Sequence, residues 1–227
     1  MKVLGIESST YSGSIAIVDD DRVLGELLLN NGPVHSEKLL PAIDWLLREI
    51  GINKTEIKGI TVSIGPGSFT ALRIGIATAK GLAFSLGIPI VGVSSLEILA
   101  SGLLFTPFII CSIIDARKKE VFAAFFRFSN GRLDRIGGEM LISPGALIEM
   151  ISEKTVFIGN GAMLYMDFLR SALGELALFC PSNFNFPRAS NCALWGIRKL
   201  REGSQNDLLA LVPRYLRGAD AEILKER

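Results

Sequence analysis

The sequence predicts an α/β protein of two tandem lobes, each running βββαβα. Three observations carry this reading. First, strand-like and helix-like segments in the first half recur in the same order in the second, without a repeat of the residues themselves. Second, residues 60–86 read as a β-branched strand, a Gly65-Pro66-Gly67 turn and a long helix, the unit from which parallel sheets are built. Third, 227 residues, 49% of them apolar, are enough for one large core or two small ones and exclude a disordered chain. The lobes are placed at 1–104 and 105–209, with the change between Gly102 and Pro107; the segment 210–227 is expected to pack back on the first lobe.

Taken in order, Val3 to Ile6, Ser14 to Val18 and Val23 to Leu29 are strands, the last two joined at Asp19-Asp20-Asp21. After the loop Asn30-Asn31-Gly32-Pro33 comes a helix carrying Leu39, Leu40, Ile43, Leu46, Leu47 and Ile50; Pro41 is expected to kink its first turns. The strand near Ile60 leads to the central helix, then to a strand at Pro89 to Val93 and a short helix from Ser95. In the second lobe Phe108 to Ile114 is a buried strand ending in Asp115. Val121 to Phe128 and Arg132 to Leu141 form a hairpin about Ser129-Asn130-Gly131. Ser143-Pro144 caps and starts a helix to Ile151. Val156 to Ile158 is a strand, and helices follow at Ala162 to Leu173 and at about Ala189 to Arg201.

The central helix carries two patterns. Phe69, Leu72, Ile76, Ala79, Ala83 and Leu86 form an apolar seam, and Ala71, Gly75, Ala79 and Ala83 form a ladder of small side chains. A mid-helix glycine costs about 1 kcal/mol relative to alanine, so Gly75 and Gly81 ask for a reason. Close approach of another helix supplies one.

With 24 basic and 23 acidic residues no global field draws this chain to nucleic acid or membrane, which argues against tight RNA binding by the chain alone. Cys111, Cys180 and Cys192 include no CxxC pair and read as thiols of a reducing compartment. The N-terminus enters a strand directly and has no leader pattern, and Lys, Arg or Asp interrupts every apolar run, so no membrane span is expected. The expected compartment is the cytoplasm.

Candidate chemistry is sparse. Gly65-Pro66-Gly67-Ser68 sits where a phosphate loop would, yet no Gly-Lys-Ser/Thr follows, and Thr70 stands where a dinucleotide fingerprint needs glycine. A tight turn of small residues is the simpler reading. Glu7-Ser8-Ser9-Thr10 is either a phosphate turn or a plain hairpin turn. His35 is the single histidine; Leu39 stands one turn later, where a metal-binding pair wants a second. Neither a metal triad nor Ser/His/Asp catalysis can be assembled. Asp115 closes a central strand, where a catalytic base often sits, but it can equally tie its turn through backbone hydrogen bonds, with Arg117, Lys118 and Lys119 solvated.

Five segments together resemble the TsaB (YeaZ) family, relatives of the tRNA threonylcarbamoyladenosine transferase TsaD. They are Gly5-Ile6-Glu7-Ser8-Ser9, His35-Ser36-Glu37-Lys38-Leu39-Leu40-Pro41, residues 65–83, Asp115-Ala116-Arg117-Lys118-Lys119-Glu120-Val121, and Pro213-Arg214-Tyr215-Leu216-Arg217. The resemblance implies an ASKHA fold, the two-lobed plan of actin and hexokinase. It implies a non-catalytic scaffold in forming N6-threonylcarbamoyladenosine at tRNA position 37, paired with TsaD and joined by TsaE, while TsaC supplies threonylcarbamoyl-adenylate. It further implies a homodimer where TsaD is absent, tRNA met through the complex, no tightly bound cofactor in the isolated chain, and room for ATP or ADP in the complex. Older glycoprotease-like labels for such chains carry no peptidase expectation here. The expected interface is Leu39, Ile43, Leu46, Ala71, Leu72, Gly75, Ile76 and Ala79, so that Gly75→Leu would stop pairing and leave the monomer folded. Ser8, Ser9, Gly65, Gly67, Asp115 and Arg117 are the residues expected near nucleotide, and none is expected to bind metal. The rival reading is an ATP-dependent small-molecule kinase of the same fold, with Ser8, Ser9 and Gly67 near phosphate and Asp115 as base.

Overall fold

A computed structural model describes residues 1–30 and 38–217. Its contacts divide the chain into two compact units, Met1–Ile98 with Pro187–Pro213, and Leu99–Phe186 with the chain from Arg214.

In the first unit β1 (Lys2–Glu7), β2 (Gly13–Asp19), β3 (Arg22–Leu29), β4 (Gly59–Gly65) and β5 (Ile90–Ser94) form one sheet in the order β3-β2-β1-β4-β5. The pairs β1/β2 and β2/β3 are antiparallel, and β1/β4 and β4/β5 are parallel. Side chains alternate between two covered faces, which is why the central strands are mostly apolar, with Thr61 and Ser63 of β4 and Glu7 of β1 buried among them. Leu4, Ile6, Ile60 and Val62 meet Leu39, Ile43 and Leu46 of α1 (Leu39–Glu49) and Ile76, Ala79 and Ala83 of α2 (Phe69–Leu86). On the opposite face Val3, Val18, Val91 and Val93 meet a helix from far along the chain, Ala189–Arg201, through Cys192, Ala193 and Ile197. That helix lies so close that a Cβ built on Gly5 would stand 2.3 Å from the Ala189 carbonyl oxygen.

Its N-terminus is held by Glu26 of β3. One carboxylate oxygen accepts from the Ser190 N–H (3.0 Å) and hydroxyl (2.9 Å), the other from the Arg188 guanidinium at 2.6 Å. A carboxylate there satisfies orphan N–H groups and complements the helix dipole. The boundary at 209 is therefore corrected, since residues 187–213 belong to the first unit. Beyond the helix, Leu211 enters the first core and Lys80 donates to the carbonyls of Leu209 (3.0 Å) and Leu211 (3.2 Å). From Arg214 to Arg217 the chain is part of the second unit, so among the described residues the final segment packs on the first unit only as far as Pro213.

The second unit contains β6 (Ile109–Asp115), β7 (Val121–Ser129), β8 (Arg132–Ile142), β9 (Thr155–Ile158) and β10 (Ala177–Phe179) in the order β10-β9-β6-β7-β8. Read in chain order this is the strand plan of the first unit again, with β6 central. Ile113, Phe125 and Phe157 pack with Leu147 and Leu169. The short α3 (Ser95–Ala100) precedes these strands; α4 (Pro144–Ile148), α5 (Asn160–Leu164) and α6 (Met166–Leu173) lie among them, and α7 is the helix Ala189–Arg201 of the first unit.

Several local expectations change. The Ser143 hydroxyl caps α4 by accepting from the Ala146 N–H at 3.2 Å, but the helix stops at Ile148. The single helix foreseen at 162–173 is two, broken at Tyr165 (φ −107). Strand β10, only three residues long, was not foreseen. Pro41 lies in the first turn of α1, where its missing N–H has no intrahelical partner to lose, so no kink is needed. By length and composition α2, at 18 residues, is apolar enough to cross a membrane, contrary to the reading of interrupted runs. Here it is a core helix, with Ala71, Leu72, Gly75, Ile76, Ala79 and Ala83 buried.

Candidate functional site

The first unit gathers its polar residues where β1 runs out and α2 begins. Glu7 is fully buried, and its Oε1 accepts from the Ser9 N–H at 2.9 Å and from the Ser9 hydroxyl. The Ser8 N–H donates to the Ser63 hydroxyl (3.2 Å) and the Ser8 hydroxyl to the Ala71 carbonyl (3.0 Å). From the α2 side the Ser68 N–H donates to the Ser9 carbonyl at 2.7 Å. Both glycines are sterically required: a Cβ on Gly67 would stand 2.1 Å from the Ser9 oxygen, and one on Gly75 would stand 2.2 Å from Ser8 Oγ. Ser8, Ser9 and Gly67 thus come together just past Gly65 at the end of β4, and the Ser8 and Ser9 donors are spent on Ser63, Ala71 and Glu7.

Glu7 Oε2 has no partner among the described atoms. Beside it lies a cavity of about 10 Å3 lined by Ser8, Ser14, Ile15, Leu27 and Leu39, among others, the size of one water and far below a phosphate. Burial pushes the Glu7 carboxyl from 4.5 up to about 7, and the hydrogen bonds from Ser9 and Ser63 pull back against it. The three thiols are free and buried, and burial raises each, Cys180 to about 11 and Cys192 to about 12. None is a ready nucleophile.

Asp115 and Arg117 lie together in the second unit, at the β6–β7 turn. Asp115 Oδ1 accepts from the Arg117 N–H at 2.9 Å, and the guanidinium lies 3.6 Å from Oδ2. The Asp115 N–H donates to Asn160 Oδ1 at 3.1 Å. Asp115 ties its turn, the structural alternative weighed from sequence. Reasoning from sequence missed Arg217, which donates to the Ala116 carbonyl and to the Glu120 carboxylate, and Arg214, which pairs with Glu139 at 3.3 Å. Two segments of the family resemblance are thereby joined, and no spacing rule could have paired them.

The expected interface residues lie elsewhere than on a surface. Leu39, Ile43, Leu46, Ala71, Leu72, Gly75, Ile76 and Ala79 are all buried in the first unit. Seam and ladder face the chain's own sheet, and the small side chains admit the Ser8 turn rather than a second protein. Gly75→Leu would therefore damage the fold itself. The large apolar side chains that α1 and α2 leave exposed are Leu40, Trp45 and Phe84, and Ala77 and Gly81 of α2 are exposed as well. Among the described residues no three His, Cys, Asp or Glu side chains gather as a metal site; His35, on which the metal expectation turned, lies outside the described residues.

The family model TsaD, tRNA N6-adenosine threonylcarbamoyltransferase, matches residues 32–225. The Bacillus subtilis tRNA threonylcarbamoyladenosine biosynthesis protein TsaB is 34% identical over 225 residues, which are 98% of this chain and 96% of that protein. The chain belongs to the TsaB family. A solved TsaB-type structure, YeaZ from Pseudomonas aeruginosa, superposes with a TM-score of 0.79 at 27% identity, covering 95% of this chain and 99% of that one. A ROK hexokinase from Thermus thermophilus shares the fold alone, with a TM-score of 0.53 at 13% identity over 89% of this chain and all of its own, 100%. The fold is thus ASKHA, and within the TsaB family this chain places Glu7 and a closed, self-satisfied turn at the end of β1.

Proposed function

We propose that this chain is the non-catalytic partner subunit in forming N6-threonylcarbamoyladenosine on tRNA, working in the cytoplasm. It pairs with TsaD, is joined by TsaE and depends on threonylcarbamoyl-adenylate supplied by TsaC. Its relatives' names support the pathway. The filled Ser8–Ser9 turn supports a role without chemistry, because the hydroxyls and N–H groups that would hold phosphate are engaged inside the fold. No nucleotide is held tightly by the isolated chain; ATP or ADP enters with assembly.

The observation that carries the pairing is the outer face of α2. Phe84 is 79% exposed, Ala77 and Gly81 are exposed, and a Cβ on Gly81 would meet nothing within 4 Å. A glycine at this place weakens the helix by about 1 kcal/mol and gains no contact in its own chain. A partner's backbone lying close against the face supplies the gain. A second copy of this chain takes the same face when TsaD is absent.

The test is gel filtration of Gly81→Arg with the cognate TsaD. Pairing should be lost with the melting temperature unchanged or raised, since arginine is the better helix former. Retained pairing would overturn the surface. In parallel, modification of an ANN-decoding tRNA by TsaC, TsaD and TsaE should require this chain, and the chain alone should turn over no ATP; transfer of phosphate to a small acceptor would install the kinase reading instead.

A further inference from the structure

The β6–β7 turn concentrates cations in a chain of net charge +1. Arg117, Lys118 and Lys119 follow one another and are all exposed, Arg117 with 83% of its side chain in solvent. All three have left-handed backbone, with φ of 61, 53 and 61. Left-handed residues with a Cβ are strained, and they ordinarily occur singly as glycine or asparagine.

Bonds on every side hold the strained shape. The Arg117 N–H is fixed on Asp115, the Ala116 and Glu120 N–H groups donate to the Glu120 and Arg117 carbonyls at 3.0 Å each, and Arg217 clamps Ala116 and Glu120. Residues 115–120 with Arg217 carry four cations against two carboxylates. The fold thus maintains a small rigid tip that presents positive charge. Such strain, over-determined by its surroundings, is characteristic of ligand-contacting segments.

We propose that this tip contacts the phosphate backbone of an RNA, in this pathway the tRNA being modified. The identity of that RNA rests on the proposed function above. The chemistry favours phosphate over an acidic protein surface. Lysine is depleted in the core of protein interfaces, and residues 116–120 include no aromatic or large apolar side chain to anchor one. Cationic side chains without aromatic neighbours engage the phosphate backbone first, where contacts position the nucleic acid and do not depend on its sequence. Three contacts bind weakly alone, in keeping with the balanced charge of the chain, and add to whatever the transferase holds.

The experiment titrates an unmodified ANN-decoding tRNA transcript into the complex with TsaD across a salt series, with wild type and with Arg117→Gln/Lys118→Asn/Lys119→Asn. Asparagine tolerates the left-handed backbone, and Lys118→Asn/Lys119→Asn serves if the triple variant does not fold. The log–log salt slope should fall by about 2 to 3 for the triple and about 2 for the double variant, roughly one for each phosphate contact. Assembly and melting temperature should be preserved. An unchanged slope in an intact complex overturns the inference, and so does a folded variant that no longer pairs, because the tip then meets protein. If the wild-type chain itself does not pair with TsaD, the earlier reading falls, and the same slope comparison on the chain alone decides this one.

Discussion

Replacing Glu7 with glutamine should make the protein more stable at alkaline pH and leave it nearly unchanged in acid. Glu7 is wholly enclosed, and only one of its oxygens is hydrogen-bonded. The folded chain holds its proton until about 7, whereas a carboxyl in the unfolded chain releases it near 4.5. Between those values the folded state binds more protons through this group, so the contribution of Glu7 to stability is greatest below about 4.5, declines as pH rises and levels off above about 7. The decline is on the order of 3 kcal/mol. Glutamine keeps the acceptor for Ser9 and cannot ionise. Urea unfolding of both proteins between about pH 4.5 and 8.5 should give a difference that grows with pH in favour of the variant. A difference independent of pH would refute the reasoning, because other titrating groups are common to both proteins and cancel.

Three further outcomes follow from the packing. Gly75→Leu drives a side chain into Ser8 Oγ, 2.2 Å from the first added carbon, and should destabilise the first unit by about 1–3 kcal/mol or more, read as a lowered melting temperature. Glu26→Ala strips the α7 N-terminus and the half-exposed Arg188 of their acceptor; loss of such a helix N-terminal acceptor costs about 0.5–2 kcal/mol, and limited proteolysis should then cut faster near Pro187. Arg217→Ala removes the clamp on Ala116 and Glu120, so amide exchange at those residues should quicken while the first unit is unaffected.

Much of the fold was readable because its strands and helices announce themselves locally. The strand–turn–helix at 60–86 lies within a few residues of its expected bounds, and the repeated order of elements appears as a repeated strand order in two sheets. What escaped depends on tertiary placement. The pattern of α7 is amphipathic in any setting, and which sheet it covers is decided by residues far back in the chain, the valines of the first sheet, Gly5 and Glu26. Strand β10 is too short to show alternation. The site was misread for a related reason: the seam and ladder of α2 correctly mark a contact face, but periodicity does not say whose surface is contacted. Phe84 and Gly81, lying off the seam, carried the information about the outside. Three consecutive left-handed residues at Arg117–Lys119 leave no trace in composition, since glycine and asparagine, the usual markers, are absent there.

The return of α7 to the first sheet has a consequence for biosynthesis. While the ribosome is making the second unit, Val3, Val18, Val91 and Val93 have no helix to cover them, because their partners Cys192, Ala193 and Ile197 are still to be translated. The first sheet waits with one apolar face open through the synthesis of everything between Leu99 and Phe186. Such a nascent chain is a natural client for chaperones. A recombinant fragment ending at Ile98 would inherit the same open face permanently and should aggregate, whereas one that fuses residues 187–213 behind it through a short linker should stay soluble.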